Sequence, residues 1–154
     1  MQLSEFLDFD ATKPSLSGGN KRALLQQMAQ FAAGRLQVDG AEILSSISER
    51  ERLGSTGFGQ GVAIPHGKIE GLARIYCMFA RLSEPVDYKA IDGQPVDLVF
   101  LLLSPPDAGA EHLKALAAIS RVTRHAPTLE KMRGARSRDA LAAVLMGADE
   151  RDAA

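Results

Sequence analysis

Several things are scarce in this chain of 154 residues. There is no tryptophan, and with two tyrosines and six phenylalanines aromatics make up only 5%. The core therefore has to be assembled mainly from Leu, Ile, Val, Ala and Met. The single cysteine, Cys77, excludes an intrachain disulfide and leaves no Cys pair for a metal site. Lying in an apolar run, it reads as a small core residue of a protein from a reducing compartment. Neither sign of charge dominates: 18 Lys and Arg against 19 Asp and Glu give a net charge of −1. That balance argues against a nucleic-acid partner held by general electrostatics. The longest strongly apolar run, Leu98 to Leu103, is far too short to span a bilayer, so no membrane insertion is expected. Met1 to Asp10 carries three acids and no basic residue, unlike a signal peptide. Together these features predict a cytoplasmic protein.

What is present is one domain's worth of periodic segments, without repeat or linker. Leu24, Leu25, Met28, Phe31 and Ala32 recur at helical spacing and predict a helix over Lys21–Leu36. Asp39 caps a second helix, with Ile43, Leu44 and Ile47 inward and Glu49 to Arg52 at its end. The glycine-rich segment from Gly54 to Gly61 predicts a loop before a strand over Val62–Ile64. Ile75 to Leu82 has strand length and composition, and Glu84 to Pro95 reads as short extended pieces joined by turns. Val96 to Leu103 is nearly all apolar, as in a central strand covered on both faces. Helices follow from about Gly109 to Arg124, from Pro127 past Met132, and from Ser137 to a stop at Gly147. The expected fold class is α/β, a mixed β-sheet flanked by helices on both faces. The domain is read as residues 1–147, with residues 148–154 as a flexible tail.

Chemistry centres on Gly61-Val62-Ala63-Ile64-Pro65-His66-Gly67-Lys68. Pro65 pushes Ile64 into extended backbone, so His66 is reached along a strand. Gly67, lacking a Cβ, leaves room for an anionic group beside the ring. Of the other histidines, His112 begins the helix after the central strand, where backbone N–H groups favour anions. His125 reads as a surface residue at the end of that helix. Arg50 and Arg52 precede the glycine loop and Ser55 and Thr56 open it, so they offer donors to phosphate oxygens. Taken alone, the two arginines read rather as solvated charges at a helix end. The residue pattern alone leaves open whether His66 is functional or simply a core histidine. The glycine segment precedes a strand instead of opening a helix, which argues against a nucleotide loop, and no zinc-type histidine spacing occurs.

Glu49-Arg50-Glu51-Arg52-Leu53-Gly54-Ser55-Thr56-Gly57, followed by the Gly61 to Lys68 stretch, resembles an active-site signature. It is that of the IIA proteins of the phosphoenolpyruvate-dependent phosphotransferase system, fructose–mannitol type, nitrogen-regulatory branch. Asp92 to Leu102 and Glu111 to Leu116 resemble further blocks of that family, and the resemblance runs from about Leu3 to Leu145. Gln60 departs from it, standing where the family has asparagine. The resemblance implies a phosphotransferase component: an HPr- or NPr-type phosphocarrier donates to His66, which becomes tele-phosphohistidine. It implies Arg50 and His112 as the other active-site residues, with Ser55, Thr56, Gly67 and Arg52 supporting the phosphate. No metal or cofactor is implied, because donor and acceptor are both imidazoles. The branch implies regulatory target proteins in potassium transport, sensor-kinase or stress pathways. The alternative is a sugar-specific IIA relaying phosphate to a IIB permease domain.

Overall fold

Six strands and five α-helices follow one another in the computed structural model, which describes the backbone of residues 1–153 and the side chains of residues 1–149. The strands form one mixed sheet, as expected. Its centre is β6 (Val96–Ser104), in which every residue but Asp97 is buried. Leu98, Phe100 and Leu102 face one core, while Val99, Leu101 and Leu103 face another. A strand covered on both faces has no polar side to alternate with, hence the unbroken apolar run. On one flank β5 (Tyr76–Val86) runs antiparallel to β6, and β1 (Lys13–Leu16) runs parallel to β5. On the other flank β3 (Val62–Ala63) and β4 (His66–Lys68) both lie parallel to β6. β2 (Gly57–Gly59) pairs antiparallel with β3.

Helices α1 (Lys21–Leu36) and α2 (Gly40–Arg52) cover one face through Leu24, Met28, Ile43 and Ile47. Each is capped by a side chain at its N-terminus. The Asn20 side chain accepts from Ala23 N at 2.8 Å and that of Asp39 from Ala41 N at 2.9 Å. The opposite face carries α3 (Ala110–Thr123), α4 (Ala126–Gly134) and α5 (Arg138–Ala153), packed on Phe79, Phe100 and Leu102. Pro127 occupies the first turn of α4, and the Ser137 hydroxyl caps α5 by accepting from Ala140 N at 3.0 Å.

Four segments depart from expectation. β1 contains Pro14, which lacks a donor but is tolerated because the strand lies at the edge of the sheet. The glycine segment is not all loop: Gly57–Gly59 forms a hairpin with β3 through Gln60 and Gly61, whose φ angles are 60° and 78°. β5 continues beyond Leu82 to Val86, with a register irregularity against β6 on the way. Finally, α5 does not stop at Gly147, and the reading of a free tail from residue 148 is corrected: Ala148 and Asp149 are buried. The Asp149 carboxylate accepts the N–H groups of Leu3 (2.9 Å) and Ser4 (2.7 Å), which tethers the end of the helix to the start of the chain. Residue 154 lies outside the described residues.

Candidate functional site

The site begins with an interruption in a strand. Val62 lies opposite Leu98 and His66 opposite Leu102, so β3 and β4 keep one register along β6. Between them stands Pro65, which has no N–H to contribute. Across the gap Leu102 N donates to Pro65 O (3.0 Å), and Ile64 N turns away to Thr56 O (3.0 Å). The Ile64 carbonyl is taken up by the His66 ring: Nδ1 lies 2.6 Å from it. A carbonyl oxygen can only accept, so Nδ1 carries the proton and, in the neutral ring, Nε2 carries the lone pair. Arg50 agrees with that tautomer, because its Nε–H donates to His66 Nε2 at 3.2 Å.

Arg50 reaches the ring from the last turn of α2 and is steadied by a bond from Nη1 to Gly54 O (2.9 Å). Beside the His66 ring stands His112, the third residue of α3, with ring centroids 5.4 Å apart and planes inclined by 50°. His112 Nδ1 is in turn 2.6 Å from the hydroxyl of Ser104, the last residue of β6. Both rings are buried, His66 to 6% exposure and His112 to 9%. Burial is the main reason that both resist protonation. It holds His66 below its ordinary value, with the Arg50 charge adding to the effect and the Ile64 bond opposing it. His112 is lowered to about 4 by burial, then by His66 and Lys68. Two neutral imidazoles therefore face each other at neutral pH.

The remaining predicted residues are placed differently. Thr56 is wholly buried, and its hydroxyl donates to Glu51 Oε1 and lies 2.9 Å from the Tyr88 hydroxyl. Ser55 Oγ accepts from Gly57 N at 3.1 Å, which shapes the turn after α2. Arg52 is exposed and, two residues from Arg50 on the same helix, is turned about 200° around its axis; it is not brought to His66. Gly67 is needed for a closer contact than an anion: a Cβ there would overlap Ser46 Oγ and lie 3.1 Å from Ser46 Cβ. It lets α2, which carries Arg50, pack directly onto β4. His125 stands at the N-cap position of α4, and its Nδ1 lies 2.9 Å from the Thr128 hydroxyl instead of a helix N–H.

Sequence reasoning missed two contributors. Ser104 directly follows the apolar run of the central strand and carries no signal of its own. Glu51, within the charged segment that ends α2, is the hub beneath the Ser55-Thr56 turn. Its carboxylate accepts from Thr56 N (3.2 Å), Tyr88 Oη (2.9 Å) and Lys21 Nζ (2.8 Å). Burial raises its pKa, and the bonds from Lys21, Thr56 and Tyr88 outweigh that and hold it below the usual carboxylate range. A Tyr at position 88 and a Lys at 21 are too far apart in sequence to suggest this cluster. Among the described residues no group of three or more His, Cys, Asp or Glu side chains is arranged to hold a metal ion. No helix there is long and apolar enough to cross a membrane.

Fold and site together define a single-domain mixed α/β protein with a histidine pair and an arginine gathered where a sheet strand is broken. Residues 5–147 match the family described as "Phosphoenolpyruvate-dependent sugar phosphotransferase system, EIIA 2". The chain belongs to that family, and several of its relatives are named nitrogen regulatory proteins. It is 43% identical over 145 residues to a nitrogen regulatory protein of Bradyrhizobium diazoefficiens, spanning 94% of this chain and 95% of that protein. The crystal structure of nitrogen regulatory protein IIA-Ntr from Neisseria meningitidis superposes with a TM-score of 0.87 at 33% identity, over 93% of this chain and 98% of that one. A fructose-specific EIIA component of Haloferax volcanii is 37% identical over 113 residues, 73% of each chain.

Proposed function

We propose that His66 accepts a phosphoryl group on Nε2 from an HPr- or NPr-type histidine phosphocarrier, and that its phosphorylation state governs which partner proteins bind. The observation that carries this reading is the Nδ1–H bond to Ile64 O, which leaves Nε2 as the nucleophilic nitrogen. The Nε2 lone pair forms the new N–P bond as the donor's N–P bond breaks, and the donor imidazole leaves with the bonding pair. The proton stays on Nδ1, hydrogen-bonded to the Ile64 carbonyl, throughout. Arg50, which covers Nε2 before transfer, moves with the reaction: its guanidinium shifts from the lone pair to the equatorial oxygens of the loose transition state. His112, beside the ring, offers a second donor.

A phosphoryl group adds roughly two negative charges beside Arg50, enough to make or abolish an interface. Leu53, just past α2, and Leu113, beside His112, are 84% and 66% exposed, as suits a face that docks other proteins. The regulatory output is favoured by the nitrogen-regulatory relatives, and the reading puts the protein in the cytoplasm with its donor. A sugar-specific role, with phosphate passed to a IIB domain, is the second reading, favoured by the fructose-specific relative.

Incubation with a phosphorylated HPr-type carrier tests the acceptor. Wild type gains acid-labile, alkali-stable phosphate and His66→Ala gains none; equal labelling of the variant would sink the assignment. Adding IIB domains from the same cell separates the two outputs, because rapid discharge to one of them refutes a purely regulatory role.

A further inference from the structure

Ser104 is fully buried, and its backbone is fixed by the sheet: its carbonyl accepts from Ile69 N at 2.9 Å at the end of β6. Its hydroxyl lies 2.6 Å from His112 Nδ1, and among the described residues it has no other hydrogen-bond partner. The direction of that bond decides the chemistry of the second ring. If Nδ1–H donated to Ser104, the hydroxyl proton would be buried without an acceptor, at a cost of about 1–3 kcal/mol. If Ser104 donates, its proton is satisfied by the Nδ1 lone pair and the imidazole proton must reside on Nε2.

We infer that Ser104 is a positioning residue for phosphoryl transfer: it donates to His112 Nδ1 and thereby holds His112 as a neutral Nε2–H donor beside His66. The inference rests on the phosphohistidine reading of His66 and extends it to the residue that sets its neighbour's tautomer. In the other tautomer His112 would turn a lone pair, not an N–H, towards anionic phosphoryl oxygens, and the contact would be repulsive. Neutrality matters as well. A cationic ring would bind the phosphoryl oxygens more tightly and slow departure to the next acceptor, whereas a neutral donor serves arrival and departure alike. Burial next to a second imidazole and the charge of Lys68 keep the ring in that state. The five residues from Pro105 to Gly109 then act as a fixed span. They join the hydroxyl at the end of β6 to the ring in the first turn of α3.

The test combines imidazole ¹⁵N NMR with phosphoryl uptake from a phosphorylated HPr-type carrier. In the unphosphorylated wild type His112 is expected in the Nε2–H tautomer alone, and in Ser104→Ala as a mixture of both. Uptake by Ser104→Ala should slow about tenfold with little change in the concentration of carrier giving half-maximal rate. Ser104→Thr, which keeps the hydroxyl, should restore the tautomer and a rate within about twofold of wild type. If the threonine methyl does not fit, the tautomer measured in Ser104→Ala still decides. A wild-type Nδ1–H tautomer, or a Ser104→Ala protein that takes up phosphate at the wild-type rate, overturns the role of Ser104. Absence of uptake by the wild type instead overturns the reading of His66, whatever tautomer His112 shows.

Discussion

Gly67→Ala separates two reasons for a glycine beside the histidine. If the glycine leaves space for a phosphoryl group, alanine should slow uptake and leave stability untouched. The packing of α2 on β4 predicts the reverse order of effects. A Cβ on Gly67 overlaps Ser46 Oγ and stands 3.1 Å from Ser46 Cβ and 3.2 Å from the Ser46 carbonyl carbon. The hydroxyl can rotate away only by giving up its 2.9 Å bond to Lys68 O, worth about 0.5–1.5 kcal/mol. The other two contacts belong to helix atoms and require α2 to shift by a few tenths of an ångström, so the total is roughly 1–3 kcal/mol. The measurement is a double-mutant cycle with Ser46→Ala, followed by urea denaturation. Ser46→Ala alone costs about 1 kcal/mol for the lost bond. Combined with Gly67→Ala it removes the worst overlap, so the double variant should be at least about 0.5–1 kcal/mol more stable than additivity predicts. Phosphoryl uptake should fall in Gly67→Ala, because Arg50 sits one turn along the same helix, and should partly recover in the double variant. Strict additivity, or an unchanged denaturation midpoint in Gly67→Ala, would refute the packing argument and return the glycine to the phosphate.

Glu51→Gln leaves Lys21 without its buried partner and should lower stability by about 2 kcal/mol, an effect read from the urea midpoint; a change below about 0.5 kcal/mol would show that the cluster is not structural. The two central histidines make stability fall with pH in a defined window. Both bind protons less readily folded than unfolded, so the unfolded state takes up more protons below the ordinary value of 6.5. The histidine contribution therefore declines as pH falls below about 6.5, in the case of His112 down to its folded value of about 4, and His112→Gln should flatten that slope. Cys77 is fully buried and its thiol is pushed well above the ordinary range, so the native protein should resist iodoacetamide until urea unfolds it. Alkylation at the unfolded rate would contradict the burial.

Much of the fold was legible because its signals are local. The caps at Asn20, Asp39 and Ser137, the helical stripes and the apolar run of β6 each declare themselves within a dozen residues. The misses share a cause. β1 is a strand only because β5 lies beside it, and the proline in its sequence argues the other way until its edge position is known. Gly147 looks like a helix stop, yet α5 continues because the Asp149 carboxylate finds the N–H groups of Leu3 and Ser4 at the far end of the chain. The site divides in the same manner. His66, Arg50 and His112 could be named, since residue type and motif mark them. The jobs of Thr56, Gly67 and Arg52 could not, because each depends on what stands opposite: Glu51 and Tyr88, the flank of α2, and the turn of a helix away from the ring.

The backbone at Ile64 and Pro65 is what fixes the tautomer of the buried His66. Ile64 faces away from β6, its N–H going to Thr56 O, so its carbonyl lies outside the ladder to β6 and is available to the ring. Without that carbonyl the His66 ring would have no fixed acceptor for its Nδ1 proton. Both tautomers would then be populated, with the nucleophilic lone pair on Nε2 only part of the time. Pro65 confines Ile64 to extended backbone while the strand resumes in the same register at His66, so the ring stays fixed to the sheet with the Ile64 carbonyl aimed at it. Ser104, directly opposite Lys68 in that register, places its hydroxyl on the second ring from the neighbouring strand. Two adjacent strands thus set the protonation of two adjacent imidazoles. Arg50, from the end of α2, brings its charge to Nε2 of the first ring. Replacing Pro65 by alanine should therefore act on the tautomer of His66 before it acts on stability: ¹⁵N NMR should show Nδ1 partly deprotonated in a still-folded protein. A His66 ring that keeps its proton wholly on Nδ1 in Pro65→Ala would show that the proline is incidental.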